Sequence, residues 1–287
     1  MEYVHPEALV TTDWLAEHLN DPEIRVVDAT WFMLPSMGDA VAEFEREHIP
    51  GAVRFDIDDI SDKSNPLPHM LPDAVKFSSK VQGLGLGDGS KIVVYDRSGP
   101  GPATRVWWMF RAFGHDNVCL LNGGFAKWKV ENRSTEAGAA HPKAKHFHTK
   151  FKPDLVKSKE QVLANIKSKR SQFVDARAAD RFAGAAPEPR PSKQVGHVPG
   201  SRNIPWNDLV DAGSKEFLPA DKITQRFKDA GLDLEKPLIS SCGSGVTACV
   251  VAFGAYLMGH DKVAIYDGSW SEWGNADDVP VVQGPAT

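Results

Sequence analysis

A cysteine followed by two closely spaced glycines is the pattern in this chain with the most chemistry in it. Ser240-Ser241-Cys242-Gly243-Ser244-Gly245-Val246-Thr247 stands between the apolar run Pro237-Leu238-Ile239 and a helical run from Ala248 to Met258. That order predicts a strand, a tight loop and a buried helix. Gly243 and Gly245 let the backbone take positive φ, so that several consecutive N–H groups point into one bowl. The positive end of the following helix adds to it, and together they stabilise an anion such as a thiolate or a sulfur-bearing adduct. Cys242, at the rim, is the candidate nucleophile. Cys119 and Cys249, inside a predicted strand and the predicted helix, read as core. Three cysteines without a CxxC or a His/Cys ligand spacing predict neither a disulfide framework nor a zinc site.

The elements that must hold this loop alternate along the chain. Thr11 and Thr12 cap a short helix over Asp13 to Leu19, and Ile24 to Ala29 reads as a strand. Lys91 to Asp96 is a buried strand, Ala103 to Phe113 a helix rich in aromatics, and Asn117 to Leu121 another strand. Strands alternating with helices predict a parallel sheet covered by helices. A length of 287 residues suits two domains, and a formal charge of -5 argues against a nucleic-acid or anionic-membrane surface. The longest nearly apolar run, Val246 to Met258, is too short to span a bilayer. Met1 to Pro6 lacks the basic and apolar regions of a signal peptide, so a cytoplasmic protein is expected.

The second half repeats the first. Phe173-Val174-Asp175-Ala176-Arg177 answers Val26-Val27-Asp28-Ala29-Thr30, and His197-Val198-Pro199-Gly200 answers His48-Ile49-Pro50-Gly51. An offset of 145 carries Lys236 to Trp273 onto Lys91 to Trp128 without a gap, as a duplicated domain would. Under it Cys242 falls opposite Arg97, so only the second copy carries a nucleophile. The expected division is residues 1–137 as a non-catalytic copy, 138–153 as an exposed linker and 154–287 as the catalytic copy. The linker's histidines lack an acidic or cysteine partner spaced for a metal. Ser158-Lys159-Glu160-Gln161 reads as a capping box opening the second copy.

These features resemble the two-domain rhodanese superfamily: duplicated α/β halves, a His-(Ile/Val)-Pro-Gly turn in each, one cysteine loop, and the Gly-Ser-Trp-Ser-Glu-Trp ending. The resemblance implies an α/β fold of two tandem rhodanese-like domains, each a parallel sheet flanked by helices, with the active site at their interface. The neutral loop Gly243-Ser244-Gly245-Val246-Thr247 is similar to that of the 3-mercaptopyruvate sulfurtransferases, whereas thiosulfate-preferring members carry basic residues there. It implies sulfur transfer through a Cys242 persulfide with release of pyruvate, and a substrate cradle formed by Gly243, Gly245, Val246 and Thr247.

Arg181-Phe182 and Pro187-Glu188-Pro189-Arg190 resemble the segments whose arginines hold the donor's carboxylate and keto oxygens, which a guanidinium suits. Phe55-Asp56-Ile57-Asp58 and His69-Met70-Leu71-Pro72 resemble segments that supply an Asp and a His to a Ser-His-Asp arrangement. Asp58, His69 and Ser244 would then manage the proton. No metal or organic cofactor is implied. The partners are a small-molecule sulfur donor and a thiol acceptor such as thioredoxin, with no nucleic acid and no membrane. Thiosulfate sulfurtransferase is the alternative function, and a non-catalytic sulfur-binding or interaction module the remote one. Cysteine phosphatases on this fold close a longer loop with an arginine where this chain has Ala248.

Overall fold

Apolar β-branched runs become the strands of two parallel sheets in the computed structural model, which describes residues 2–286. The first half contains β1 (Leu9–Val10), α1 (Thr12–His18), β2 (Ile24–Asp28), α2 (Ala40–Arg46), β3 (Val53–Arg54), α3 (Ala74–Gly83), β4 (Lys91–Tyr95), α4 (Gly101–Ala112), β5 (Val118–Leu121) and α5 (Gly124–Val130). The second contains β6 (Val156–Lys157), α6 (Lys159–Ser168), β7 (Gln172–Asp175), α7 (Ala179–Phe182), β8 (Arg202–Asn203), α8 (Ala220–Asp229), β9 (Leu238–Ser241), α9 (Ala248–Leu257), β10 (Val263–Tyr266) and α10 (Ser269–Trp273). The strand orders are β1-β5-β4-β2-β3 and β6-β10-β9-β7-β8, so the sequence repeat is also a repeat of topology. Every named pair is parallel, with Val27 beside Val94 in one sheet and Val174 beside Ser240 in the other.

The halves meet through two helices that are buried nearly all round. Every residue of α4 except Arg111 is buried, and every residue of α9 except Tyr256. Such helices are stable only when covered on all sides. Here α4 and α9 cover each other, with the Trp107 and Phe253 rings edge to face at 4.9 Å. The contact joins the residues around both helices into one apolar core. Each helix begins after the carboxyl end of a central strand, the edge at which open α/β sheets bind ligands.

The His-X-Pro-Gly turns are staples of the fold. His48 stacks on Phe44 at 3.9 Å and His197 on Phe182 at 3.7 Å. Each ring donates from Nδ1 to the carbonyl of the phenylalanine beneath it, at 2.7 and 2.9 Å. The capping box is present, with Ser158 Oγ accepting from Gln161 N–H and Gln161 Oε1 from Ser158 N–H.

The segment 138–153 is mostly exposed but is also a strap laid along the first half. Lys145, Lys150 and Lys152 donate backbone N–H groups to Gln82, Phe113 and Ala112. Phe147 inserts between Phe77, Phe110 and His115 and is only 2% exposed. The polarity of the flanking lysines and histidines hides this single anchor. Phe147→Ala is expected to cost about 3–5 kcal/mol, read as a lower urea midpoint. The alkylation rate of Cys242 per folded molecule should be unchanged, because Phe147 packs away from the cysteine loop.

Candidate active site

The cysteine loop leaves the carboxyl end of β9 and is pinned from α10. Cys242 N–H donates to Ser269 Oγ at 3.2 Å, and its carbonyl accepts from Trp270 N–H at 2.9 Å. The Gly243 carbonyl accepts from both the amide and the hydroxyl of Ser271. Among the described residues no hydrogen bond engages the amides of Gly243, Ser244, Gly245 or Val246, which leaves them available to an anion. Only Gly245 has positive φ, at 78°, and a Cβ there would sit 2.9 Å from the Asp267 carbonyl. Gly243, contrary to expectation, does not turn through positive φ. Its lack of a side chain admits Arg181, whose Nη2 would be 3.2 Å from a Cβ.

Cys242, Ser244, Val246 and Thr247 face a cavity of about 160 Å³ together with Arg181, Glu188, Arg190 and Trp31. The site is thus built from both halves, Trp31 coming from the first. Gly245, His69 and Asp58 do not line the cavity; His69 meets it through Arg190. Arg181 is paired with Glu188, whose other oxygen accepts from Arg177 at 2.6 Å. Arg190 donates from Nη1 to Ser244 Oγ at 3.3 Å and from Nη2 to His69 Nε2 at 3.0 Å.

The last contact fixes the state of His69. A guanidinium has only donors, so Nε2 accepts and the ring is neutral, with its proton on Nδ1. Nδ1 lies 2.8 Å from Asp58 Oδ1, with the N–H off line for a hydrogen bond. Burial is the main cause that lowers the His69 pKa; Arg190 and Arg105 lower it further, against the pull of Asp58. The contact with His69 is the main cause that brings Asp58 down to about 2, helped by Trp31, whose Nε1 donates to Oδ2 at 2.7 Å. The expected Ser244, His69 and Asp58 therefore meet with one difference. Arg190 is interposed between the serine and the histidine, because both present lone pairs toward the same cation.

A second buried arginine holds the two halves of this site together. Arg105, on α4, donates to Asp267 Oδ1 at 2.6 Å, to the Gly245 carbonyl at 3.3 Å and to the His69 carbonyl at 2.5 Å. Asp267 Oδ2 in turn accepts from Leu71 N–H at 2.7 Å. His69 has φ of 61°, a strained value for a residue with a side chain. Its carbonyl is held by Arg105, its ring by Arg190 and, two residues on, the Leu71 amide by Asp267, which together hold it there. The repeat does not predict Arg105, whose partner is Val250; its only local mark is a charge within an aromatic helix.

The corresponding loop of the first half is filled from within. Asp96, the partner of Ser241, accepts from the amides of Ser98, Gly99 and Ala103. Burial pushes its pKa up to about 7. Arg97, opposite Cys242, donates to the carbonyls of Glu43 and Glu47. Only about 20 Å³ of space remains.

Comparison with known proteins agrees with this architecture. A family model described as the rhodanese-like domain matches residues 11–131 and 158–276. The chain is 46% identical over 273 residues to the 3-mercaptopyruvate sulfurtransferase of Mus musculus, covering 93% of this chain and 91% of that protein. It is 43% identical to the thiosulfate sulfurtransferase of Mus musculus, with the same coverage of 93% and 91%. Among solved structures, SseA from Escherichia coli, described as a 3-mercaptopyruvate sulfotransferase, superposes with a TM-score of 0.84. The identity is 39%, covering 92% of this chain and 99% of that one.

Proposed function

The chain belongs to the rhodanese family, and we propose that it is a sulfurtransferase that takes sulfur from 3-mercaptopyruvate through a persulfide on Cys242, releasing pyruvate. The observation that carries this is Arg190 beside a neutral cysteine loop, in contact with Ser244 Oγ and His69 Nε2. An α-keto carboxylate gives such a guanidinium two oxygens to hold, and the loop from Gly243 to Thr247 adds amides but no second cation. That combination fits a monoanionic donor better than thiosulfate, a dianion.

The step balances without a net proton. The Cys242 thiolate attacks the donor sulfur, the carbon–sulfur bond breaks, and its electron pair enters the pyruvate enolate. The donor sulfur keeps its hydrogen and becomes the outer S–H of the persulfide. The proton lost by Cys242 ends on the methyl carbon of pyruvate. Donor binding draws Arg190 onto the carboxylate, which frees Ser244 Oγ and the Nε2 lone pair of His69 to carry that proton, while Asp58 steadies the imidazolium. Arg181 and the loop amides stabilise the enolate oxygen. In the second half-reaction an acceptor thiolate attacks the outer sulfur and regenerates Cys242. A thioredoxin-type dithiol as acceptor, and the cytoplasm as location, belong to the same proposal. Among the described residues no helix is long and apolar enough to cross a membrane.

Turnover of both donors on one preparation tests it. The kcat/KM for 3-mercaptopyruvate should exceed that for thiosulfate by at least about tenfold, the scale on which a mismatched charge discriminates substrates. A preference for thiosulfate would assign the other activity.

A further inference from the structure

Four buried or half-buried charges form a chain from Asp175 through Arg177 and Glu188 to Arg181, whose last three members line the cavity. Arg177 is bidentate to Asp175, at 2.7 Å from Nη2 to Oδ2 and 3.1 Å from Nε to Oδ1, and stacks over Trp270 at 4.2 Å. Its remaining arm donates to Glu188 Oε1 at 2.6 Å. Glu188 Oε2 accepts from both Nε and Nη2 of Arg181. Two carboxylates and two guanidiniums cancel. The Glu188 side chain is 6% exposed and that of Arg181 22%, so the cancellation operates where water screens it weakly. Arg190 has no such partner on the cavity wall: its contacts are a neutral imidazole, a hydroxyl and the face of Trp31 at 5.9 Å. Among the described residues that line the cavity, it is the one guanidinium not spent on a carboxylate.

We propose that Glu188 is a specificity-determining residue that sets the charge of the donor. By neutralising Arg181 it leaves Arg181 N–H groups to orient a ligand oxygen but removes its net charge, so the site matches a donor of charge −1 and discriminates against one of charge −2. This inference rests on the sulfurtransferase function proposed above and adds a determinant outside the cysteine loop. If Glu188 is replaced by a neutral isostere, Arg181 becomes a second uncompensated cation, and dianions gain more than monoanions do.

The test pairs two inert probes with two donors. Pyruvate and sulfate binding would be measured by quenching of the fluorescence of the cavity tryptophans Trp31, Trp206 and Trp270, in the wild type, Glu188→Gln and Glu188→Asp. In Glu188→Gln the affinity ratio of sulfate to pyruvate should rise about tenfold, and the kcat/KM ratio of thiosulfate to 3-mercaptopyruvate should rise with it. Glu188→Asp keeps the charge and should keep both ratios near the wild-type values, even where its shorter reach weakens every ligand. Parallel weakening of both anions in Glu188→Gln with an unchanged ratio would overturn the proposal, because it would mean Glu188 only props Arg181. A ratio shifted equally by Gln and Asp would overturn it as well. If the wild type failed to turn over 3-mercaptopyruvate, the proposed function would fall, while the sulfate-to-pyruvate comparison would still decide the role of Glu188.

Discussion

Replacing Cys242 with serine is expected to abolish sulfur loading altogether. After treatment with 3-mercaptopyruvate the wild-type chain should gain one sulfur atom by intact mass, and Cys242→Ser none, with turnover falling by at least about 10⁴-fold as when the nucleophile of a covalent catalyst is removed. The other two cysteines cannot substitute. Cys119 lies inside β5, where burial pushes its pKa up to about 12. Cys249 is fully buried in α9; burial holds its thiol well above the ordinary range, and its S–H donates to the Gly245 carbonyl at 3.3 Å. Both stay protonated at neutral pH, and a thiol is a far weaker nucleophile than a thiolate. Cys119→Ser and Cys249→Ser should therefore keep the added sulfur. Its persistence on Cys242→Ser would move the chemistry to another residue.

The features legible in the sequence are those written locally. The apolar runs of β4 and β9, the duplicated spacing and the capping box at Ser158 each depend on neighbours in the chain, and the parallel sheets follow from their alternation. The cysteine loop is legible for the same reason, since one short stretch carries the nucleophile, the turn and the start of the helix. Partnerships across the fold are not written this way. Phe147 is one aromatic among charged residues, and its role appears only where Phe77 and Phe110 leave a gap for it. Arg190 reads as a substrate clamp, yet its place between Ser244 and His69 depends on how the two halves meet. Asp96 is a strand-end acid until the folded loop beside it shows which amides it caps. Arg105 is the extreme case: a charge inside the apolar helix α4 is a local conflict in the sequence, and only the acceptors from three other segments resolve it.

That conflict predicts the second large effect. Arg105→Met removes a fully buried guanidinium and leaves Asp267, whose side chain is 4% exposed, as a buried carboxylate without its cation. The carbonyls of His69 and Gly245 lose a donor at the same time. Breaking a buried pair from one side costs about 3–5 kcal/mol, so the urea midpoint should fall clearly. The catalytic consequence separates positioning from bulk stability. With its carbonyl released, His69 is no longer held at positive φ, and Gly245 can move the loop. Sulfur loading of the folded fraction, measured far below the unfolding transition, should therefore slow at least about tenfold. Arg105→Lys supplies a charge for Asp267 but not a planar fork reaching two carbonyls. It should recover much of the stability and little of the rate. In Arg105→Met/Asp267→Asn no buried charge is left unpaired, and the asparagine oxygen can still accept from Leu71 N–H, so the double variant should be less destabilised than the sum of the singles. Wild-type loading by folded Arg105→Met would show that the interface positions the His69 and cysteine loops without this arginine, and additive stabilities would show that Asp267 is held by other groups.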